Sequence, residues 1–274
     1  MPNVEVWTMK KTLLFFCILL LSCDKTGPTE YGFILTDVRF VAGTRYTYGW
    51  SMVTRDSAGN LLSEYYDTLV VIVEATGAQI DTLDGLTRVR GYSLVDSIGS
   101  TLVWYQNDQS ACAEVAYRNA GAIPFVLPKK GTTREQWTVE PRSNPFFFPL
   151  IIQNVLPAPR MTPVDSLIVR NDPRIVFKYP LIIGGSWVSF TDPWLQTRQV
   201  VGSEFVQTPM GSRRCVKISS DSPMFGESIE WFDYVDENGL VLRAIKINFV
   251  MMTSEGDTVG TATGIERAEL LSLE

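Results

Sequence analysis

Residues 240–253, LVLRAIKINFVMMT, lie between two turn signatures, DENG at 236–239 and SEGD at 254–257. Ile245, Ile247, Phe249 and Met251 fall on one side of an extended chain, with Lys246 and Asn248 on the other. A period of two marks a strand with one buried face and one wet face. The stretch predicts a half-buried β-strand between hairpins.

The same pattern spreads outward. DSAGN (56–60) is a further hairpin signature, and TPMG (208–211) places proline at the second turn position. The chain between the turns is rich in Val, Ile, Thr and aromatic residues, which suit a pleated surface. Helical periodicity is scarce, with short candidates near 110–120 and 149–156. The expected fold class is mainly β, antiparallel, with few short helices.

A faint internal echo runs through the pattern. FVAGTRYTYGW (40–50) matches YPLIIGGSWVSF (179–190), VVIVE (70–74) matches VVGSE (200–204), TRVRGYS (87–93) matches RCVKISS (214–220), and LVWYQND (102–108) matches IEWFDYVDE (229–237). Glu74 to Trp104 spans 30 positions and Glu204 to Trp231 spans 27, close enough to suggest two repeated modules, 32–128 and 178–274. Between them, residues 141–180 carry 8 of the 15 prolines, and proline cannot donate to a sheet ladder. Residues 129–177 are therefore expected to be a connector that wraps or caps. Its apolar run, Phe146 to Ile152, either packs on the sheets or serves as a lid or membrane wedge.

The other end of the chain has a different character. Thr12 to Leu21 is an uncharged apolar run of ten residues after Lys10 and Lys11. As a helix it would rise about 15 Å, roughly half a hydrocarbon core. A basic start, a short apolar core and a small residue at the end mark a secretory signal. Leu20-Leu21-Ser22-Cys23 resembles the lipobox of bacterial lipoproteins, with Leu20 and Ser22 before the cleaved bond and Cys23 as the first mature residue. The resemblance implies cleavage after residue 22 and lipidation of the Cys23 sulfur, leaving residues 23–31 as a polar tether. Asp24 resembles an inner-membrane retention signal of some enteric bacteria, so inner and outer membranes both stay open. Loss of residues 1–22 leaves 22 basic against 29 acidic side chains, net −7. That balance speaks against nucleic-acid binding, which needs a basic footprint. The expected location is the bacterial envelope, facing the periplasm or the cell surface.

The second half, YPLIIGGSW … VVGSEFVQTPMGSRRCVKI … IEWFDYVDENGLVLRAIKI, resembles a module of uncharacterised bacterial envelope lipoproteins. These are similar to the half-barrel superfamily of the periplasmic lipoprotein carrier and its outer-membrane receptor. The resemblance implies a curved, half-barrel-like antiparallel sheet around an apolar groove, and no catalytic residue. Val216 stands where the module often has an aromatic.

Reactive chemistry is sparsely represented. The chain has no histidine, which removes Ser–His–Asp and Cys–His catalysis and H-E-x-x-H zinc sites. Phosphate-loop, dinucleotide and nucleophile-elbow motifs are absent. DYVDENG (233–239) lacks an EF-hand's ligand pattern and reads as a hairpin. Glu230 and Asp233 are the candidates for a histidine-free carboxylate hydrolase. Cys112 and Cys215 admit a disulfide after export, or two buried free thiols. Trp50, Trp104, Trp187 and Trp231 read as core, or with Met251 as the lining of an apolar ligand site.

The expectation is a non-enzymatic, membrane-anchored lipoprotein that binds an apolar or amphiphilic ligand, with no cofactor or metal. The alternative is a structural or protein-interaction module with a filled core and an unidentified partner.

Overall fold

The structure is a computed structural model, and it describes residues 33–94, 100–120, 167–191, 195–223, 228–252 and 258–274. Its strands are β1 (Arg45–Asp56), β2 (Leu61–Ile80), β3 (Leu83–Ser93), β4 (Ser100–Asn107), β5 (Ala111–Ala120), β6 (Leu167–Lys178), β7 (Ser186–Phe190), β8 (Gln196–Thr208), β9 (Gly211–Asp221), β10 (Ile229–Asp236), β11 (Gly239–Met252) and β12 (Thr258–Leu273). All belong to one antiparallel sheet ordered β6-β5-β4-β3-β2-β1-β12-β11-β10-β9-β8-β7. Two six-stranded meanders are thus zipped together along β1 and β12. The end strands β6 and β7 come back against each other, giving a nearly closed, barrel-like sheet. No α-helix occurs among the described residues. All twelve strands lie within one compact unit, Ile34–Glu274.

Residues 240–252 of the opening stretch lie in β11. Ile245 and Ile247 are buried while Lys246 and Asn248 are exposed, because each successive side chain crosses the sheet. The turn signatures at 56–60, 208–211 and 236–239 make hairpins. At Asp56 the carboxylate accepts from the Ala58 and Asn60 amides at 2.9 and 2.8 Å. At the β8–β9 turn, Thr208 pairs with Gly211, whose φ of 101° a side chain would strain.

The internal echo has a backbone counterpart. The Gly43 amide donates to the Val73 carbonyl, the Val73 amide to Thr44, and the Thr44 amide to Val41. In the second half, Gly184 donates to Val200, Val200 to Gly185, and Gly185 to Ile182. Gly43 and Gly184 have φ of 92° and 88°. The same turn opens both meanders, so β1 corresponds to β7 and β6 to β12. The structure also corrects the register: Val73 is the counterpart of Val200, where the sequence match had paired Val70 with it. A slip of three residues reverses the face on which each side chain emerges.

Two other expectations change. Residues 110–120 are not helical: 111–120 form β5, where Cys112, Glu114, Val115, Ala116 and Tyr117 are all buried. Burial on both faces overrides the helical preference of this alanine-rich segment. Residues 167–177, assigned to the connector, belong to β6. Pro173 is tolerated because β6 ends the sheet and its ladder to β5 jumps from Val169 to Arg174. The 149–156 helix candidate, the apolar run 146–152, the tether 23–31 and the SEGD turn lie outside the described residues.

Among the described residues no ladder joins β6 to β7; side chains bridge this seam instead. Trp187 Nε1 and Ser189 Oγ donate to the Ile175 carbonyl at 3.1 and 2.9 Å, and Arg198 Nη1 donates to the Val176 carbonyl at 2.6 Å. Trp187→Phe keeps an aromatic ring but loses the indole donor. It is expected to lower stability by about 1 kcal/mol, read as a shift in the urea midpoint. An unchanged midpoint would show that the indole does not help hold the seam.

Candidate functional site

Residues paired across antiparallel ladders share a face, so the register traces the barrel's interior. One row runs Val200–Ile218–Asp233–Arg243–Ala268–Trp50–Asp67 across seven strands. The next contains Trp187–Arg198–Ser220 on one side and Trp231–Ile245–Glu266–Met52–Tyr65 on the other. Both rows mix aromatic and charged groups.

Asp233 is the centre of the charged layer. It is 2% exposed and accepts hydrogen bonds from Arg243 Nε and Nη2 at 2.7 and 2.9 Å, from Trp231 Nε1 at 3.2 Å and from Arg198 Nη2. Burial pushes this carboxyl up, but the guanidiniums of Arg243 and Arg198, with the hydrogen bonds, outweigh burial and hold it below its ordinary value. Burial brings Arg198 down to about 10, with Asp233 opposing and Arg243 and Arg174 adding to the fall. Close by, Trp50 Nε1 donates to Glu266 at 3.0 Å, and Arg170 Nε donates to buried Glu114 at 2.6 Å.

Beyond Asp233 and Arg243, part of the interior is apolar. Trp231, Ile245 and Ile247 form a buried cluster, and Met52, Phe190, Ile229 and Phe249 pack on it while remaining only half-buried. These four residues lie in the second half of β1, at the end of β7, at the start of β10 and near the end of β11, so they lie toward one end of the barrel. Away from that end the interior is filled by side chains such as Tyr48, Tyr105, Phe177, Ile218 and Leu270, each less than 2% exposed.

The residues singled out from sequence separate into several places. Trp50, Trp187 and Trp231 face the interior and are buried. Trp104 does not join them: it pairs with Arg88 and Ala116 on the outer face and packs against Ile80, Leu86 and Val115. The register slip explains the difference, since Trp104 and Trp231 are not equivalent in the two halves. Met251 lies on β11, and its side chain is not among those described; Leu20, Ser22 and Cys23 also fall outside the described residues. Cys112 and Cys215 form no disulfide: both are free and buried, on strands in opposite halves of the sheet. Burial pushes both thiols up, Cys215 to about 12.

Glu230 and Asp233 do not form a working carboxylate pair. Three positions apart on β10, they point to opposite faces, and exposed Glu230 accepts from Lys246 at 2.9 Å. Among the described residues, no group of three His, Cys, Asp or Glu side chains could hold a metal ion. Arg198, Arg243, Gln196, Ser220 and Glu266 escaped the sequence reading. Arg243 had a visible signal: it shares the parity of Ile245 and Ile247, so a charge stood on the buried face.

The fold and interior define a nearly closed antiparallel barrel with a filled, charged middle and an apolar end. No family model matches the chain, and no curated protein matches it. Among solved structures, the chain is similar to a protein from Bacteroides fragilis described as exported and with a YmcC-like fold. That match has 11% identity and a TM-score of 0.35 over 88% of this chain and 99% of the other. It is also similar to a protein from Parabacteroides distasonis described as a lipoprotein, with 12% identity and a TM-score of 0.28 over 88% and 99%.

Proposed function

We propose that the chain is a lipid-anchored envelope protein that binds an apolar or amphiphilic ligand at one end of its barrel, without a covalent step. The observation that carries this reading is the half-buried ring of Met52, Phe190, Ile229 and Phe249 over buried Trp231, Ile245 and Ile247. Four large apolar side chains converging at one end of a sheet, each still partly in water, gain about 25 cal/mol for every Å² that a ligand covers. Below them the ion-paired layer sets a polar floor, which suits an amphiphile with one polar end.

The filled part of the interior favours a second reading, an interaction module that works through its surface. Native mass spectrometry separates the two. Residues 24–274, exported and purified without detergent, retain every described residue of the sheet. A discrete added mass of lipid size, either co-purified or acquired from vesicles, is the expected result. A clean apo mass after incubation with vesicles would overturn ligand binding and leave the interaction module.

A further inference from the structure

Beside the apolar ring, three buried polar atoms have no hydrogen-bond partner among the described residues: Gln196 Oε1, Arg198 Nε and Ser220 Oγ. Their residues are 1%, 3% and 5% exposed. Such groups are rare in folded proteins, because an unmade buried hydrogen bond costs the desolvation of the group with nothing returned. The three belong together. Gln196 and Arg198 are two apart on β8 and so share a face, and Ser220 is the direct ladder partner of Arg198 on β9. Gln196 is in turn the ladder partner of Phe190, a member of the half-buried ring. A polar corner therefore adjoins the apolar end of the barrel.

We infer that this corner receives the neutral, hydroxyl-bearing head of an amphiphile whose acyl portion covers the apolar ring. This inference rests on the ligand-binding reading above and specifies the chemistry of the ligand. The unused groups are a donor, the Arg198 Nε–H; an acceptor, the Gln196 amide oxygen; and a hydroxyl able to do both, on Ser220. A ligand hydroxyl answers all three, its oxygen accepting from the Arg198 Nε–H and the Ser220 O–H while its hydrogen is donated to Gln196 Oε1. A carboxylate only accepts, so it would leave Gln196 Oε1 unpaired and would lie close to Asp233. Nor does Arg198 call for an anion, since Asp233 already takes its Nη2 donor and the Val176 carbonyl its Nη1. Glycerol and sugar heads share the required chemistry.

The test compares ten-carbon probes below their critical micelle concentrations, using residues 24–274 and isothermal titration: 1-decanoylglycerol, decyl glucoside, methyl decanoate and sodium decanoate. At least one hydroxylated probe is expected to bind about tenfold tighter than methyl decanoate, the worth of one well-made hydrogen bond. Which of the two it is assigns the head to glycerol or to sugar. Gln196→Leu and Ser220→Ala should each remove most of that preference while leaving methyl decanoate affinity unchanged. Gln196→Leu should not lower the melting temperature, because it deletes an acceptor that has no partner. Equal binding of methyl decanoate and the hydroxylated probes would overturn this inference while leaving the apolar site intact. Tightest binding of decanoate would also overturn it, in favour of an anion site. Binding of none of the four would remove the ligand-binding reading itself, and this inference with it.

Discussion

Asp233→Asn is expected to lose about 3–5 kcal/mol of stability at pH 7, the cost of removing one partner from a buried ion pair. The amide keeps the carboxylate's shape and one acceptor, so little packing is lost. What it loses is the charge that neutralises Arg198 and Arg243, two guanidiniums that are each less than 5% exposed. The triple replacement Arg198→Met, Asp233→Leu, Arg243→Met should be far milder than the single change, because no uncompensated charge remains buried. The loss should also depend on pH. The Asp233 pKa is depressed on folding, so its contribution is fully present above the unfolded carboxyl value, about 3.9. That contribution is lost as pH falls through the lower folded value. The gap between wild type and Asp233→Asn in urea titrations should therefore hold from pH 7 to about 5 and close below about 4. A pH-independent gap would place the effect in packing rather than in charge.

This layer is also where the sequence reading and the structure part company. Alternation in 240–253, together with the turn signatures, made the antiparallel sheet legible, because period-two burial and turn chemistry are local properties. The correspondence of the two halves was legible in outline. Its register was not: β-strands of similar composition match at several offsets, and only the ladders fix which. A slip of three residues placed Trp104 beside Trp231, when one ring packs on the outer face and the other in the interior. β6 was hidden by Pro173, which an edge strand with a skipped ladder accommodates. The charged interior was hidden for a different reason. Asp233 and Arg243 lie on the buried parity of their strands but are ten residues apart, and Arg198 reaches them from a third strand. Charges in a sequence read as solvated surface until tertiary pairing brings them together, and no local pattern encodes that pairing.

Exchange of residues 1–22 for an ordinary cleavable secretory signal, combined with Cys23→Ser, is expected to move the protein from the membrane to the soluble envelope fraction. The wild-type chain should float with membranes in a density gradient and resist washing with high salt. Residues 1–22 must be exchanged along with the cysteine, because the apolar run Thr12–Leu21 left uncleaved would itself hold the variant to the bilayer. On the proposed reading, two or three acyl chains on Cys23 would supply the anchor, at about 0.8 kcal/mol per buried methylene, where a single chain is only marginal. Electrostatics offers no substitute, since the chain from Cys23 onward, with 22 basic against 29 acidic side chains, would be repelled by anionic lipid rather than drawn to it. Mass spectrometry gives the complementary reading: the wild-type N-terminal peptide should begin at Cys23 and carry the mass of its acyl chains. If the exchanged variant floated with membranes as fully as the wild type, the anchor would lie in the folded protein, with the half-buried apolar end of the barrel as the first surface to examine. A clean release would leave that end free to hold a ligand rather than the bilayer.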